Sequence, residues 1–430
     1  MRTPSASRLP TALRAAAAAV IGITGFSLAA LGGPAGATTT SLIWSAPVTY
    51  GSTDHALDGD TVAVRVDGDG ADVTPPHVRN SGIQTMEVGE CHAADATAAM
   101  RTLTSGKRLR MSALDPLSSS LGRPLRYLDV ETPSGWVDPQ LSQLQNGHAL
   151  PLVNGGDPTR WRAYFTAAQQ AARAGTNLWD PDACAPGPAQ DTPLRIWANW
   201  DGNGDETKDP NTEYVRILNQ SSTVLGISGW VVRTAAQDSY TFPAGARVPS
   251  RGTLTLRVGK GTNTTTLFHW NSAVAKFPNV NLATDTGYGS GAYLFDPDGD
   301  LRAWSIYPCL DSCGDPLVGK VSMTVRADAE GVDTDNVNGE YVRLSPAGTS
   351  SVDLSYRVLS VNGRTYELPK GSVVSPGETL TVHVGQGYSS RLRQYWGNST
   401  PVLSNGGGAV ELRTPESVRI ACRAWGTGRC

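Results

Sequence analysis

The sequence predicts a multidomain, β-rich protein in which an α+β barrel domain precedes two all-β sandwiches. The 430 residues include 47 glycines and 28 prolines but only 17% charged residues, a composition typical of loop-rich β domains. Helical patterns occur only before residue 185, and the chain beyond that point repeats itself at an offset of about 126 residues. The net charge of −3 argues against a protein that coats nucleic acid by neutralising many phosphates, so any nucleic-acid role must rest on a local site.

The N-terminus has the pattern of a secretory signal peptide over residues 1–37. Three arginines precede an apolar run at about 15–31, and small residues lead to an A-x-A cleavage motif that ends at Ala37. We therefore expect a secreted protein that begins near Thr38, with a retained N-terminal anchor as the alternative. No other apolar stretch approaches the roughly 20 residues that a membrane-spanning helix requires.

Six cysteines follow the predicted cleavage site: Cys91, Cys184, Cys309, Cys313, Cys422 and Cys430. An even number in an exported chain indicates disulfide bonds. Among the possible pairings, the order along the chain favours neighbour with neighbour, and the first pair would close a long loop. A zinc site is the alternative, but these spacings do not match zinc patterns.

The first domain, residues 38–185, is predicted from strands followed by helices. Alternating apolar and polar residues indicate the strands, and apolar residues on one face indicate the helices. The predicted strands are 61–66, 108–111 and 125–130, and the predicted helices are 93–103, 139–147 and 159–173. Gly147 and Gly175 are placed to end two helices, and Asp157 to cap the third. This order fits a small barrel with helices packed against it, followed by a Pro-rich linker at 185–190.

The repeated part of the chain indicates a duplicated β domain. NTEYVRI at 211–217 recurs as NGEYVRL at 338–344, and LTLRVGKG at 254–261 recurs as LTVHVGQG at 380–387. Matches that keep their order over so long an offset indicate duplication of a whole domain. Each copy is long enough for a β-sandwich of about 100 residues. The expected domains are 186–318 and 319–430, joined by the segment that holds Cys309 and Cys313.

Two short phrases in the first domain, LDGDTVAV at 57–64 and VRNSGIQTME at 78–87, place carboxylates, an arginine and a threonine close together in the chain. Phosphodiester cleavage requires a base that deprotonates water and positive charge that stabilises the transition state. A hard cation such as Ca²⁺ takes oxygen ligands, and arginines clamp phosphate oxygens. The residues of the required types are Asp60, Arg79, Glu87 and Arg123. The alternative for 58–61 alone is a turn rich in Asp and Gly.

Residues 57–184 resemble the thermonuclease family, whose micrococcal-nuclease-like domain is built on an OB-fold barrel. The family pattern runs from a DGDT turn, through an arginine strand ending in D-T/A-P-E, to a G-R dipeptide and a closing helix rich in Ala and Gln before L-W. The matching positions are 58–61, Arg79, Glu87, Gly122-Arg123, the helix at 165–172 and Leu178-Trp179.

The resemblance implies a role for each matching residue. Asp60 and the backbone carbonyl of Thr85 would ligate a calcium ion. Glu87 would act as general base on the attacking water. Two arginines, Arg79 and Arg123, would bind the phosphate and stabilise the transition state. A neighbouring carboxylate, Asp58, is expected to hold the turn.

The sequence departs from the family pattern at Gln84, which stands where the family has a second metal-binding aspartate, and at Met86, which replaces a proline. The carbonyl oxygen of Gln84 can ligate Ca²⁺, but the loss of one negative charge should weaken the site. Two outcomes stay open: a weak site that fills at extracellular calcium concentrations, or a degenerate nuclease domain that serves as a binding module.

The two repeated segments resemble lamin tail domains, which are immunoglobulin-like sandwiches. The resemblance rests on the E-Y-V-x-[IL] strand, the G-x-L-x-L/V strand and, in the first copy, Gly229-Trp230, which the second copy lacks. Trp230 and Tyr214 are expected to be core aromatics. The acidic segment 201–209 is expected to be a loop, with a weak structural calcium site as the alternative.

Two functional hypotheses follow. The first is a secreted, calcium-assisted nuclease that hydrolyses DNA or RNA and is attached by two tail domains, acting as a monomer. The second is a binding protein, in which an inactive barrel and two adhesive sandwiches hold nucleic acid, glycans or a cell-envelope ligand. The sequence does not specify the ligand of the tail domains.

Overall fold

Five strands close into a barrel in the N-terminal part of the chain. The computed structural model describes residues 40–185, 187, 189–282 and 286–430, and the predicted signal peptide at 1–37 lies outside them. The strands of this part are β1 (Val48–Ala56), β2 (Thr61–Val66), β3 (His77–Asn80), β4 (Ile83–Gln84), β5 (Arg108–Ser112), β6 (Ser119–Ser120), β7 (Arg123–Thr132), β8 (Gly135–Val137) and β9 (Leu150–Pro151). The order β3-β2-β1-β5-β7 returns to β3 through parallel pairing of β7 with β3, which closes the barrel.

Three helices lie where the sequence predicts them. They are α1 (Ala93–Thr104), α2 (Pro139–Gln145) and α3 (Trp161–Ala174). The carboxylate of Asp138 caps α2 by accepting a hydrogen bond from the backbone N–H of Leu141 at 2.9 Å, and Pro139 takes the first helical position. Gly175 ends α3 with a φ of +63°.

The predicted cap of α3 is wrong. Arg160 precedes the first turn of α3, and its side chain makes no capping hydrogen bond. Asp157 instead accepts hydrogen bonds from the backbone N–H and the hydroxyl of Thr159, and its other oxygen accepts from the backbone N–H of Leu114. The carboxylate therefore ties the loop before α3 to the barrel.

Two β-sandwiches with the same topology follow. The strands of the first are β10 (Leu194–Asn199), β11 (Tyr214–Asn219), β12 (Leu225–Gly226), β13 (Val231–Thr234), β14 (Ser239–Thr241), β15 (Arg247–Val248), β16 (Thr253–Arg257), β17 (Leu267–His269), β18 (Val280–Asn281), β19 (Thr286–Gly287), β20 (Ser290–Phe295) and β21 (Leu301–Tyr307). Those of the second are β22 (Val321–Arg326), β23 (Tyr341–Pro346), β24 (Val352–Asp353), β25 (Val358–Val361), β26 (Arg364–Glu367), β27 (Val373–Val374), β28 (Leu380–His383), β29 (Arg393–Tyr395), β30 (Gly407–Arg413) and β31 (Arg419–Gly426).

The two sandwiches match sheet by sheet. The sheets β10-β11-β16-β17 and β14-β13-β20-β21 of the first correspond to β22-β23-β28-β29 and β26-β25-β30-β31 of the second. A parallel pair of strands also recurs, as β16 with β17 and β28 with β29. The predicted duplication is therefore confirmed.

The barrel and the first sandwich share one hydrophobic core. The ring of Trp179, after α3, lies 6.1 Å from that of Tyr293 and 5.6 Å from that of Trp304. Gln169 on α3 also binds the segment between the sandwiches, because its amide donates to the carbonyl of Pro308 and accepts from the backbone N–H of Leu310. The two domains therefore pack as neighbours and are not separated by a free linker.

All three predicted disulfides are confirmed: Cys91–Cys184, Cys309–Cys313 and Cys422–Cys430. The first joins the start of α1 to the end of the barrel domain. Part of the predicted linker at 185–190 is held against the first sandwich, since Arg302 donates to the carbonyls of Ala189 and Gln190. Within the described ranges, no helix is both long enough and apolar enough to cross a membrane.

The prediction for the two tail aromatics is half right. Trp230 is a core residue, 2% exposed. Tyr214 instead points out of its sheet and is covered by the second sandwich, where its hydroxyl donates to the carboxylate of Glu367. The pattern of the strand gives its outward direction, but the covering domain lies 150 residues away in sequence and leaves no local signal.

Candidate functional site

The turn between β1 and β2 holds both aspartates of the DGDT motif. The carboxylate of Asp58 accepts a hydrogen bond from the backbone N–H of Asp60 at 2.9 Å, a turn contact of the kind expected for this residue. Asp60 is buried, and its Oδ2 accepts from the backbone N–H of Thr85 at 3.0 Å. Its Oδ1 accepts from the hydroxyl of Thr61 at 3.2 Å. The turn thus brings the Asp60 carboxylate against the segment that carries the second phrase.

Arg79 lies at the barrel seam on β3, with 5% of its side chain exposed. Its Nη1 donates to the backbone carbonyls of Asn80 at 2.7 Å and Ile83 at 2.9 Å. Its Nη2 lies 3.1 Å from Oδ2 of Asp60 and donates to Oε1 of Gln84 at 2.6 Å. The buried guanidinium therefore holds the carboxylate and the amide side chain together, which leaves only its Nε without an acceptor among the described residues.

Gln84 and Thr85 continue the network toward solvent. The Nε2 of Gln84 donates to the backbone carbonyl of Thr85 at 2.9 Å and to Oε1 of Glu87 at 3.3 Å. Gln84 is buried, whereas Glu87 is exposed and can be reached by water. The residue that departs from the family pattern thus links the buried arginine to the predicted general base.

Arg123 reaches the same network from the start of β7. Its Nη1 donates to the hydroxyl of Thr61 at 3.3 Å, and its Nε donates to the carbonyl of Ser120 at 3.4 Å. The guanidinium is half-buried, and its Nη2 has no acceptor in the described part of the chain. This free edge is available to an anion, unlike the guanidinium of Arg79.

The charges at the site act on one another. Burial raises the pKa of Asp60 to about 6, and the nearby Arg79 charge only partly offsets that effect. Burial also lowers the pKa of Arg79; the Asp60 carboxylate opposes that effect, and the positive charge of Arg123 adds to it. The three residues therefore share one electrostatic environment.

The oxygens predicted to ligate calcium already accept hydrogen bonds from the protein. Both carboxylate oxygens of Asp60, the Oε1 of Gln84 and the carbonyl of Thr85 each have an internal donor. In residues 40–430, apart from the few left undescribed, no group of three His, Cys, Asp or Glu side chains could hold a metal ion. With a single carboxylate, and with the Gln84 oxygen turned to Arg79, these residues do not fit a calcium ion as they are arranged.

The first sandwich contributes side chains that the sequence reading missed. Gln237, in the turn between β13 and β14, donates from Nε2 to Oε1 of Glu87 at 3.0 Å. Arg233 on β13 donates to both carboxylate oxygens of Glu90, at 3.1 and 2.5 Å. Neither residue carries a motif, and both lie more than 140 residues beyond the loop they contact. No signal in the sequence could have found them.

A pair of histidines beside this loop was also not expected. Nε2 of His92 lies 3.3 Å from Nδ1 of His148, and the rings stack with centroids 5.4 Å apart. Burial lowers the pKa of both imidazoles. Nothing in the sequence pairs these two histidines, whereas the fold stacks their rings, with His92 directly after Cys91 of the Cys91–Cys184 disulfide.

Comparison with known families supports the reading of the repeated segments. The lamin tail domain model matches residues 196–308 and again residues 324–427, which together make up half of the chain. The matched ranges coincide with the two β-sandwiches. No curated protein matches the chain.

Proposed function

The chain belongs to the lamin tail domain family, and we propose that its N-terminal barrel is the nuclease domain of a secreted protein that hydrolyses DNA or RNA. The two lamin tail domains would then serve attachment or recognition. In chain order the five barrel strands are β1, β2, β3, β5 and β7. Around the barrel they run β1, β2, β3, β7 and β5, and this order supports an OB-fold of the kind that binds oligonucleotides. Three disulfides support export to an oxidising compartment.

One observation carries the proposal: a single run of hydrogen bonds and an ion pair connects all the predicted catalytic side chains. The run passes through Arg123, Thr61, Asp60, Arg79, Gln84 and Glu87 in that order. These residues come from four strands, a turn and a loop, and random placement of charged residues on a barrel would not connect them. A carboxylate that water can reach and a free guanidinium edge thus lie at two ends of one network.

The proposed reaction uses the exposed end of this network. Glu87 would take a proton from a water molecule, whose oxygen attacks phosphorus as the opposite ester P–O bond breaks and the leaving oxygen takes up a proton from solvent water. Gln84 and Gln237 would orient the Glu87 carboxylate through their amide N–H groups. Arg123 would hold a non-bridging oxygen and stabilise the charge that develops on it. Arg79 would act indirectly, by fixing Asp60 and Gln84.

Calcium assistance stays a prediction, and no step above depends on it. Because the candidate ligands face internal donors, calcium binding would require Gln84 to turn away from Arg79. Hydrolysis of a DNA or RNA substrate should be measured across a calcium titration and with a chelator. A rate that does not change between chelator and millimolar calcium would contradict a catalytic role for the ion.

The buried oxygens of this network already accept hydrogen bonds from the protein, and this favours a second function. If the buried network serves only to stabilise the barrel, the domain is a nucleic-acid or anion-binding module without turnover. The free edge of Arg123 would still contact phosphate. This reading predicts oligonucleotide binding that Arg123→Ala weakens and that Glu87→Gln leaves unchanged.

The deciding experiment compares Glu87→Gln with a matched control, Glu131→Gln, an exposed glutamate on β7 of the same barrel. A general base contributes roughly 10²–10⁴-fold to rate, so Glu87→Gln should reduce hydrolysis by at least about a hundredfold while the control keeps wild-type activity. Melting temperatures of both variants should stay near wild type, because both side chains are exposed. Equal activity of the two variants, or no hydrolysis by the wild type, would reject the nuclease in favour of the binding module.

A further inference from the structure

The two lamin tail sandwiches carry the same three-residue group on the outer face of the same sheet. In the first copy this group consists of Tyr214 and Arg216 on β11 and Thr255, which faces Arg216 on β16. In the second copy the equivalent residues are Tyr341, Arg343 and Thr381, in the same register on β23 and β28. The guanidinium lies over the tyrosine ring in both, at 4.9 Å in the first copy and 4.5 Å in the second.

The first copy of this group clamps a carboxylate. Nε of Arg216 donates to both oxygens of Glu367, at 2.8 and 3.1 Å, and the hydroxyl of Tyr214 donates to one of them. Nη1 of Arg216 donates to the hydroxyl of Thr255 at 2.8 Å, which fixes the orientation of the guanidinium. Glu367 lies on β26, the edge strand of a hairpin in the second sandwich, and its side chain is only 5% exposed. The clamp is thus how one sandwich holds an edge glutamate of the next.

The second copy of the group has no such partner in the part of the chain that the structure describes. Arg343 is exposed and Tyr341 is partly exposed, and no carboxylate in the described residues forms an ion pair with Arg343. The sheet that carries them presents further cations and aromatic rings on its outer face: Arg326, His383, Arg393 and Tyr395. No outward position of β22, β23, β28 or β29 is Asp or Glu. The face is therefore positive, and it is left open where the first copy is covered.

We propose that the Tyr341–Arg343 face of the second sandwich is a docking site for a partner protein that presents a glutamate on the edge strand of a β-hairpin. The clamp in the first copy supplies the recognition chemistry: a charge-assisted double hydrogen bond from the arginine and a hydroxyl from the tyrosine. Specificity would come from the aromatic rings of His383 and Tyr395, which form a row with Tyr341 across three strands. The partner would extend the stack of sandwiches by one module.

A second copy of this chain does not fit as the partner. The residue of the first sandwich that corresponds to Glu367 is Thr241, an exposed neutral residue on β14. Glu367 itself is already buried in its own chain. A head-to-tail array of identical chains would therefore bring a threonine, and no carboxylate, to the open clamp. The open clamp therefore fits a different protein, one that carries a glutamate at this position of its hairpin.

A hairpin of the chain itself can be used as a peptide probe for this site. The hairpin of β25 and β26 runs from Val358 to Glu367 and turns at Asn362-Gly363, both with positive φ, which is the most favourable two-residue hairpin connection. A cyclised synthetic peptide of residues 358–367 would keep this shape and present the glutamate. Its binding to the full chain can be measured by calorimetry or fluorescence anisotropy.

The expected result is one peptide per chain, with affinity at least about tenfold weaker for the Arg343→Ala chain and for a peptide with Glu367→Gln, because a charge-assisted hydrogen bond is worth about that factor. Tyr341→Phe should weaken binding by less. Arg423→Ala, an exposed arginine on the opposite sheet, is the matched control and should bind as wild type. These substitutions are at exposed or half-exposed positions, so the fold is preserved.

Two results would overturn the proposal. One is a peptide that does not bind, or binds with equal affinity to the Arg343→Ala chain. The other is a short thymidine oligonucleotide that binds in an Arg343-dependent manner while the peptide does not, since that would make the face a stacking surface for nucleic acid. Neither result depends on whether the barrel hydrolyses phosphodiesters.

Discussion

Gln237 in the first lamin tail domain donates a hydrogen bond of 3.0 Å to Glu87 in the barrel. The contact is reinforced nearby, because Arg233 of the same domain binds Glu90, whose carboxylate also accepts from the backbone N–H of Glu87. Gln237 lies at a φ of +72°, a backbone conformation that a tight turn imposes on it. The tail domain therefore holds the loop of the proposed general base, which goes beyond an attachment role.

Replacing Gln237 with alanine should reduce hydrolysis by about fivefold, because one intramolecular hydrogen bond contributes about 1 kcal/mol. The matched control is Gln220→Ala, an exposed glutamine on the same sandwich, which should have no effect. Independently of activity, amide hydrogen exchange over residues 86–90 should become faster in the Gln237 variant only. Unchanged exchange would mean that the tail domain does not restrain this loop.

Removing Arg79 should destabilise the barrel strongly. Arg79→Ala leaves the buried Asp60 carboxylate without its counter-charge, a loss that typically costs 3–5 kcal/mol, or about 10 °C in Tm. Adding Asp60→Asn to this variant should restore part of the loss. Arg108→Ala, which breaks the exposed pair with Asp67, should change Tm very little.

Thermal denaturation of the four proteins tests this prediction. If Arg79→Ala and Arg108→Ala lowered Tm by the same small amount, the buried ion pair would contribute no more than a surface one. The burial of Arg79 also means that lost activity in Arg79→Ala cannot be separated from lost stability, so Glu87 and Arg123 are the better tests of catalysis.

The motif spacing predicted which residues of the candidate site lie close together, because local geometry determines their closeness. Asp60, Thr85 and Glu87 come from a turn and a loop that two neighbouring strands bring together, and Arg79 and Arg123 lie on the two strands that close the barrel. Strand pairing therefore fixes these neighbours once the barrel is predicted. The direction of the Gln84 side-chain amide could not be predicted, because it depends on which buried donor lies within hydrogen-bond distance of its oxygen in the folded barrel.

Contacts between domains could not be predicted either. Tyr214 was expected in the core, and although the alternation along β11 and β23 fixes which side chains share a face, it does not indicate which outward face the next domain covers. For this reason Tyr214 and Tyr341 share a local sequence but differ in their surroundings: the second sandwich covers Tyr214, whereas Tyr341 is partly exposed. Packing of one domain on another is decided by residues such as Glu367, which the first copy replaces with Thr241.

The three disulfides should differ in their effect on stability. The chain-entropy model relates the stabilisation to the length of the closed loop, which spans 93 residues for Cys91–Cys184 but only 8 and 4 for the other two. Removing the first bond by the pair Cys91→Ala and Cys184→Ala should cost about 4–5 kcal/mol, against about 2 kcal/mol for either short loop. Thermal unfolding of the three double variants should rank them in that order, and an equal loss for all three would contradict it.

Two buried glutamates should make the tail domains less stable as the pH rises from acidic values through neutrality. Glu213 and Glu340 occupy equivalent positions before β11 and β23, are fully buried and accept backbone N–H groups from the loop after the parallel strand pair. Burial raises the pKa of Glu213 from 4.5 to about 8 and raises that of Glu340 in the same direction. There is therefore a pH range in which each glutamate is protonated in the folded state but ionised in the unfolded chain.

The sign of the pH dependence follows from this difference. The contribution of Glu213 to stability is complete below its unfolded pKa of 4.5 and is lost as the pH rises through about 8, by an amount on the order of 4 kcal/mol. Glu213→Gln removes the titrating group, so the variant should gain stability relative to wild type between pH 5 and pH 8. Tm measured at both pH values tests the prediction, and Glu340→Gln should change in the same direction. A Tm difference between variant and wild type that is equal at the two pH values would mean that Glu213 is ionised in the folded domain, where its backbone N–H donors would have to outweigh its burial.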